Sequence, residues 1–351
     1  MDISLESPRS SADHTSARVA RAIWFGRPGQ VDLRQEPLAA VGPTDVRVKA
    51  LYSAISHGTE MLVYRGQVDQ RLALDLPTLK GAFAFPIKYG YASVGRIDEA
   101  GSDVRNLHPG DLVFVHHPHQ SEYVVPAASA IPLATGTSPE HGVFLANVET
   151  ALNIMLDAHL PSGAQVVILG QGVVGLLVTQ LLRHAGAAVI AVDPIPRRRQ
   201  LALALGAAAA IEPGEDVSKE VMDRTDGQGV PVAIEVSGNP KALAQAIECL
   251  AFQGTVVAAS WYGMKPVALD LGGRFHRNRL RIVSSQVSHV DPGLAPEWTM
   301  ARRTERARDL VSNLTLTPLI SHRFPLEQAR DAYRLLDERP DEAVQVLFTY
   351  V

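Results

Sequence analysis

The chain has 351 residues, 46% hydrophobic and 20% charged, with a formal net charge of −4 and an isoelectric point near 6.3. This is the balance of an ordinary globular enzyme with length for two domains. No long basic run is present, which argues against nucleic acid or an anionic membrane as a partner. The single cysteine, Cys249, excludes an internal disulfide framework and a cysteine-rich zinc site, and it fits a reducing cytoplasm.

Residues 1–18 are polar and Ser-rich without an apolar core, and read as a mobile tail. From residue 19 to about 155, short alternating segments such as "DVRVKALYSAI", "YASVGRIDEAG" and "SEYVVP" are broken by Pro and Gly, the spacing of a compact β-rich domain. The cluster "HHPHQ" puts His116, His117 and His119 close together. It raises the question of a metal, but partner ligands are lacking.

The stretch "VVILGQGVVGLLVTQLL" is the longest apolar run, yet it is too short for a membrane span and is interrupted by Gln171, Gln180 and three glycines. A β-branched strand precedes Gly170, Gly172 and Gly175, spaced G-x-G-x-x-G. A helix-period segment follows, and the next strand ends in Asp193. Together these form the dinucleotide fingerprint. Gly170 permits the tight turn, Gly172 lets the backbone approach a pyrophosphate, and Gly175 lets helix and strand pack. Gln171, Val173 and Val174 complete the cradle at the positive end of the helix. Asp193 accepts from both adenosine-ribose hydroxyls and repels a 2′-phosphate, so NAD(H) is favoured over NADP(H). Among Arg197, Arg198 and Arg199, at least two are expected to solvate the helix, while Arg198 is kept as a cofactor candidate.

The alternation continues with strands at "VPVAIEVSG", "TVVAAS" and "RLRIVSSQVS", and a helix over 240–254 that carries Cys249 in its middle. Strand C-termini in such a sheet face the ligand crevice, which places Ser237, Gly238, Ser260 and Gln286 near the dinucleotide. The C-terminal "TPLISHRFPLEQARDAYRLLDERPDEAVQVLFTYV" reads as strand, helix, strand and is expected to fold back on the first domain.

The landmarks "AISHGTE", "YGYASVGRIDEAGSDV", "HPGDLVFV", "LGQGVVG", "EVSG" and "HRFPLEQARDAY" resemble the medium-chain dehydrogenase/reductase superfamily, the zinc alcohol dehydrogenase-like proteins. Within it, the small pair before Gly-Thr-Glu and the Gly-Tyr in place of Gly-His resemble bacteriochlorophyllide dehydrogenase-like proteins. The resemblance implies an α/β chain. A β-rich GroES-like catalytic domain would span 19–155 and 296–351, and a Rossmann doubly wound parallel sheet domain 156–295. Dimerisation through the Rossmann sheet edge is implied at the family level.

Zinc-dependent members hold catalytic zinc with Cys, His and a third Cys or acid. The first position falls at Ser56 or His57, the second at Tyr91, and the third near Ala146, with Asn147 and Glu149 beside it. His57, with Glu60 or Glu149 as remote helpers, is too little for a tight site, so no metal is expected. Without zinc, an acid/base side chain must do its work. Tyr91 points into the cleft as proton donor or acceptor, or simply fills the space left by zinc. His57 is a second acid/base candidate or a cofactor contact. Glu60 orients His57 or caps the next helix. Ser56, His117, His119 and Asn147 are placed along the substrate.

The reading this favours is an NAD(H)-dependent oxidoreductase acting on a small-molecule alcohol/ketone pair. An NAD(P)H-dependent enone or quinone reductase is a second reading, and a non-catalytic dinucleotide sensor a third.

Overall fold

The computed structural model describes residues 18–74, 78–214 and 216–350. The expected tail over 1–18 lies outside the described residues except for Arg18, whose guanidinium pairs with Asp98 and Glu122.

The chain opens with a separate antiparallel hairpin, β1 (Val19–Arg27) and β2 (Gln30–Pro37). Then come β3 (Asp45–Ala54), α1 (Thr59–Tyr64), β4 (Ser93–Ala100), β5 (Leu112–Val115), β6 (Glu122–Pro126) and β7 (Ala130–Pro132). Buried and more exposed residues alternate along the first six residues of β3 and along β6, the half-buried pattern that the sequence shows. Helices α2 (Pro139–Gly142) and α3 (Leu145–Asp157) lead out of this half.

The next elements alternate: β8 (Gln165–Leu169), α4 (Val173–His184), β9 (Ala188–Val192), α5 (Pro196–Ala204), β10 (Ala209–Ile211), α6 (Val217–Arg224), β11 (Val230–Glu235), α7 (Pro240–Glu248), β12 (Leu250–Ala258) and β13 (Arg281–Ser284). Their six strands pair in the order β10-β9-β8-β11-β12-β13, all parallel. This is the doubly wound order, with its switch point between β8 and β11. The buried β-branched runs of β8 and β9 form central strands because helices cover both faces. Gly186, at φ +85°, ends α4. Pro240 and the Asn239 side chain, which accepts from Lys241 N, start α7.

Helix α8 (Met300–Val311) packs on α3. The chain closes with β14 (Ile320–Pro325), α9 (Ala329–Glu338) and β15 (Gln345–Thr349). β15 pairs with β3, so the two C-terminal strands complete a seven-stranded sheet with β3, β4, β5, β6 and β7. An apolar core runs without a break from Val94 and Phe114, through Val148 and Leu152 of α3, to Leu176 of α4 and Ile168 of β8. Glu149 and Tyr91 lie along this seam.

Three local readings are corrected. The helix expected over 240–254 stops at Glu248, because Leu250 already pairs with Val230 and the register then slips until Val232 meets Thr255. Cys249 is therefore the buried residue closing α7 rather than a mid-helix one. The strand expected over 279–288 is ordered as strand only from Arg281 to Ser284.

Candidate active site

The glycine fingerprint sits at the switch point. Gly170 has φ +104°, and a Cβ there would stand 2.7 Å from the Ser237 backbone, so the turns after β8 and β11 touch. A Cβ on Gly175 would stand 1.9 Å from the Gly170 carbonyl oxygen. Gly172 differs: a Cβ there would meet nothing within 4 Å, and no side chain caps α4. The first turn of α4 thus faces open space, the shape and polarity that a dinucleotide pyrophosphate requires. These residues fit the group.

Asp193 is 3% exposed, with Oδ2 accepting from Gln171 N at 2.7 Å and Oδ1 from Ile195 N at 2.9 Å. Its first task is therefore to clamp the glycine turn onto the end of β9. Each oxygen keeps a further lone pair for a ribose hydroxyl. The Gln171 side chain points inward, accepting from Thr179 Oγ1 at 3.0 Å, so only its backbone faces the cradle. Val173 is buried and Val174 half-buried. Arg198 donates to the Pro340 and Ala343 carbonyls and Arg197 to the Glu342 carbonyl, tying α5 to the C-terminal return. Ser237 N and Oγ both donate to Glu235, and Gly238 N donates to Ser260 Oγ at 2.8 Å, which fixes the rim beyond β11. Gln286 is exposed and bonds Ser288.

Across the crevice, the "SHGTE" turn leads into α1. Glu60 does not orient His57. It is fully buried: Oε1 accepts from Ser56 N at 2.8 Å, while Oε2 receives His119 Nε2 at 2.9 Å and Tyr333 OH at 2.9 Å. His119 Nδ1 meets Ser53 Oγ at 2.7 Å, and Ser53 meets Tyr350 OH at 2.7 Å. A carboxylate oxygen only accepts, so His119 donates through Nε2 and accepts from Ser53 at Nδ1. This closed chain ties α1, the segment before β6, α9 and the C-terminus beneath the cleft.

His119 is 0% exposed, and His117 lies flat on Tyr123 with ring centroids 3.7 Å apart. Neither lines an open cleft, which corrects their placement along the substrate. The Pro118 kink turns both inward, and His117 Nδ1 bonds the Pro118 carbonyl at 3.0 Å. Burial pushes the His117 imidazole down to about 3.

His57 has its Nε2 buried without a partner among the described residues. Burial, then the charges of Arg198 and His322, push it down to about 3. It is a neutral imidazole close to Arg198 and His322, a better contact than acid. Tyr91 is pushed up to about 12, by burial first and then Glu60, despite the opposing influence of the neighbouring Ser56 and Thr59. At neutral pH it is a neutral phenol that donates. Asn147 is half-buried on the first turn of α3.

Sequence reasoning missed the group around Glu149. Glu149 faces His116 Nε2 at 3.6 Å, receives Thr304 Oγ1, and lies 3.8 Å from Arg303. Arg303 is 3% exposed and donates to Asn153 Oδ1 at 2.8 Å.

A zinc tripod does not fit these residues. The positions that the resemblance implies for the ligands carry Ser56 or His57, Tyr91 and Ala146, and among the described residues no three His, Cys, Asp or Glu side chains converge to hold a metal.

Residues 173–302 match the zinc-binding dehydrogenase family model. The (R,R)-butanediol dehydrogenase of Bacillus subtilis is 30% identical over 294 residues, covering 74% of this chain and 82% of that protein. This chain belongs to the medium-chain dehydrogenase/reductase superfamily. The D-guloside 3-dehydrogenase of Escherichia coli (strain K12) is 29% identical over 334 residues, covering 89% of this chain and 94% of that one. The crystal structure of 2R,3R-butanediol dehydrogenase from B. subtilis superposes with a TM-score of 0.79 at 21% identity, covering 95% of this chain and all of that one, and shows the shared fold. The protein is an oxidoreductase with a GroES-like sheet and a Rossmann sheet. No helix among the described residues is long and apolar enough to cross a membrane.

Proposed function

We propose that the protein is an NAD(H)-dependent dehydrogenase that interconverts a hydroxylated small molecule, of polyol or sugar type, and its ketone without a catalytic zinc. The observation that carries this reading is the donor set. Tyr91 stands where the resemblance implies a zinc-binding histidine, with Ser56 and Thr59 beside its hydroxyl. The bound dinucleotide supplies the hydride chemistry. Tyr91, kept neutral by burial, donates a hydrogen bond to the substrate oxygen and polarises it. His57 contacts the cofactor, and Glu60 holds the turn from beneath.

Three features support the remaining parts. The relatives are named for substrates that carry alcohols: D-gulosides, L-threonine and (R,R)-butanediol. The Asp193 carboxylate disfavours a 2′-phosphate. Arg197, Arg198 and Arg199 all place terminal nitrogens on main-chain carbonyls, so the cations nearest that position are already engaged. The reading includes a homodimer formed through the edge strand β13 and a cytoplasmic location, which the single cysteine supports.

The test is a panel of polyols, sugars and simple secondary alcohols with NAD, run beside enones and quinones with NADH and NADPH. Turnover of an alcohol that falls about 100-fold in Tyr91→Phe supports the reading. Turnover confined to enones or quinones with NADPH favours the reductase instead, and NADH binding without any turnover favours the sensor.

A further inference from the structure

We propose that His116 is the group that exchanges a proton with the substrate oxygen, and that Glu149 is the residue that positions it. This rests on the alcohol/ketone reading above.

The dehydrogenation of an alcohol releases a proton as well as a hydride, and a base must take it. Tyr91, held at about 12, does not accept it at neutral pH. His57 and His117 sit near 3, too low to hold it. His119 is sealed between Ser53 and Glu60. His116 differs from all four. It directly follows β5, stands edge-on to Phe114 with centroids 4.9 Å apart, and leaves 23% of its side chain exposed.

Its two nitrogens have distinct surroundings. Nδ1 lies 3.2 Å from the Tyr91 carbonyl oxygen, which only accepts, so Nδ1 carries hydrogen and donates to it. Nε2 is then the nitrogen that gains and loses a proton. Glu149 Oε2 faces it at 3.6 Å, too far for a hydrogen bond and close enough to stabilise a charge that appears on the ring. A hydroxyl oxygen can therefore reach Nε2 without displacing a bond already made.

Glu149 is built to stay in place and ionised. Burial raises its proton affinity, but the facing His116, the hydroxyl of Thr304 that it accepts from and the charge of Arg303 outweigh burial and leave it below its ordinary value. Arg303 is fixed in turn by Asn153 and the Val287 carbonyl. The groups facing the imidazole are thus Glu149 of α3 with Arg303 of α8 behind it, and the neutral Tyr91 before β4. The neighbouring His117 is neutral and turned onto Tyr123. This is the arrangement in which a carboxylate orients a histidine base.

In oxidation, the substrate O–H bond breaks and its proton passes to Nε2. The carbinol C–H hydrogen leaves with its electron pair to the dinucleotide, which is reduced as the carbon becomes a carbonyl. In reduction, the Nε2 proton moves to the carbonyl oxygen as the same electron pair returns. Tyr91 remains protonated throughout.

The test uses the full-length protein with His116→Gln and Glu149→Gln, each checked for an unchanged melting temperature and NADH affinity. His116→Gln is expected to lower kcat about 100- to 1,000-fold with little change in KM, and to abolish the acid limb of the pH–rate profile. Glu149→Gln is expected to lower kcat about tenfold and move the midpoint of that limb down by about one unit. A second readout needs no substrate: the His116 ring resonances, titrated by NMR, should show the same downward shift in Glu149→Gln. Turnover that survives His116→Gln within threefold, with its acid limb intact, overturns the inference and leaves the alcohol/ketone reading standing. If no alcohol or ketone is turned over, that reading fails by itself. The NMR arm then decides, and a His116 midpoint indifferent to Glu149→Gln overturns the pairing.

Discussion

The two glycines at the start of α4 should separate folding from cofactor binding. A Cβ at position 175 would stand 1.9 Å from the Gly170 carbonyl oxygen, and ordinary contact begins near 3.4 Å, so helix and turn must part by the difference, 3.4 − 1.9 = 1.5 Å. The neighbour is backbone and cannot rotate away. Overpacking of this kind costs about 3 kcal/mol, and Gly175→Ala should melt about 4 °C below wild type. Gly172 has φ −70° and ψ −170°, which alanine adopts freely, and its Cβ would meet nothing. Gly172→Ala should therefore melt like wild type. The methyl group would project into the space assigned to the pyrophosphate and cost about 1.4–2.8 kcal/mol of binding, a 10- to 100-fold rise in the NADH dissociation constant. Calorimetry and NADH fluorescence titration measure the two effects. If Gly172→Ala binds NADH within twofold of wild type, the dinucleotide does not approach that backbone and the cradle is misassigned.

Other outcomes follow from the buried polar groups. The unfolded chain protonates His117 below about pH 6.5 while the folded ring stays neutral to about 3, so the stability it contributes is intact above 6.5 and falls as pH drops through that window. His117→Phe, which keeps the stack on Tyr123, should lose about 2 kcal/mol less than wild type between about pH 7.5 and 5 in urea unfolding; parallel losses would contradict a buried neutral ring. Glu60→Gln removes a charge that holds Ser56 N, His119 and Tyr333 together, and should destabilise the fold by about 2–4 kcal/mol in the same assay. Asp193→Ser should raise the use of NADP relative to NAD by about tenfold in kcat/KM, since it removes the repelling carboxylate, and an unchanged ratio would show that Asp193 is only the clamp on the glycine turn.

The nucleotide half was legible because its constraints are local. Gly170, Gly172 and Gly175 lie within one turn, and Asp193 ends the adjacent strand, so spacing alone carried the geometry. The strand-helix-strand return was legible from periodicity. The buried network was not, since Glu60 meets His119 across 59 residues and Tyr333 across 273, and no local pattern encodes such pairs. "HHPHQ" showed three histidines but not which ones Pro118 turns inward. Glu149 stood beside a lost ligand position, and its partners Arg303 and Thr304 come from a helix that sequence reading left unassigned. Tyr91 was placed at the cleft by resemblance; that burial holds its proton firmly required the packing around it.

The central claim is that this member of a zinc-binding family works without zinc. The most direct test is metal content by mass spectrometry on untagged protein, before and after dialysis against a chelator, with NAD-linked alcohol oxidation measured on the same samples. The account predicts substoichiometric zinc and undiminished activity after dialysis. One zinc per chain, with activity lost on its removal and restored on its return, would contradict it.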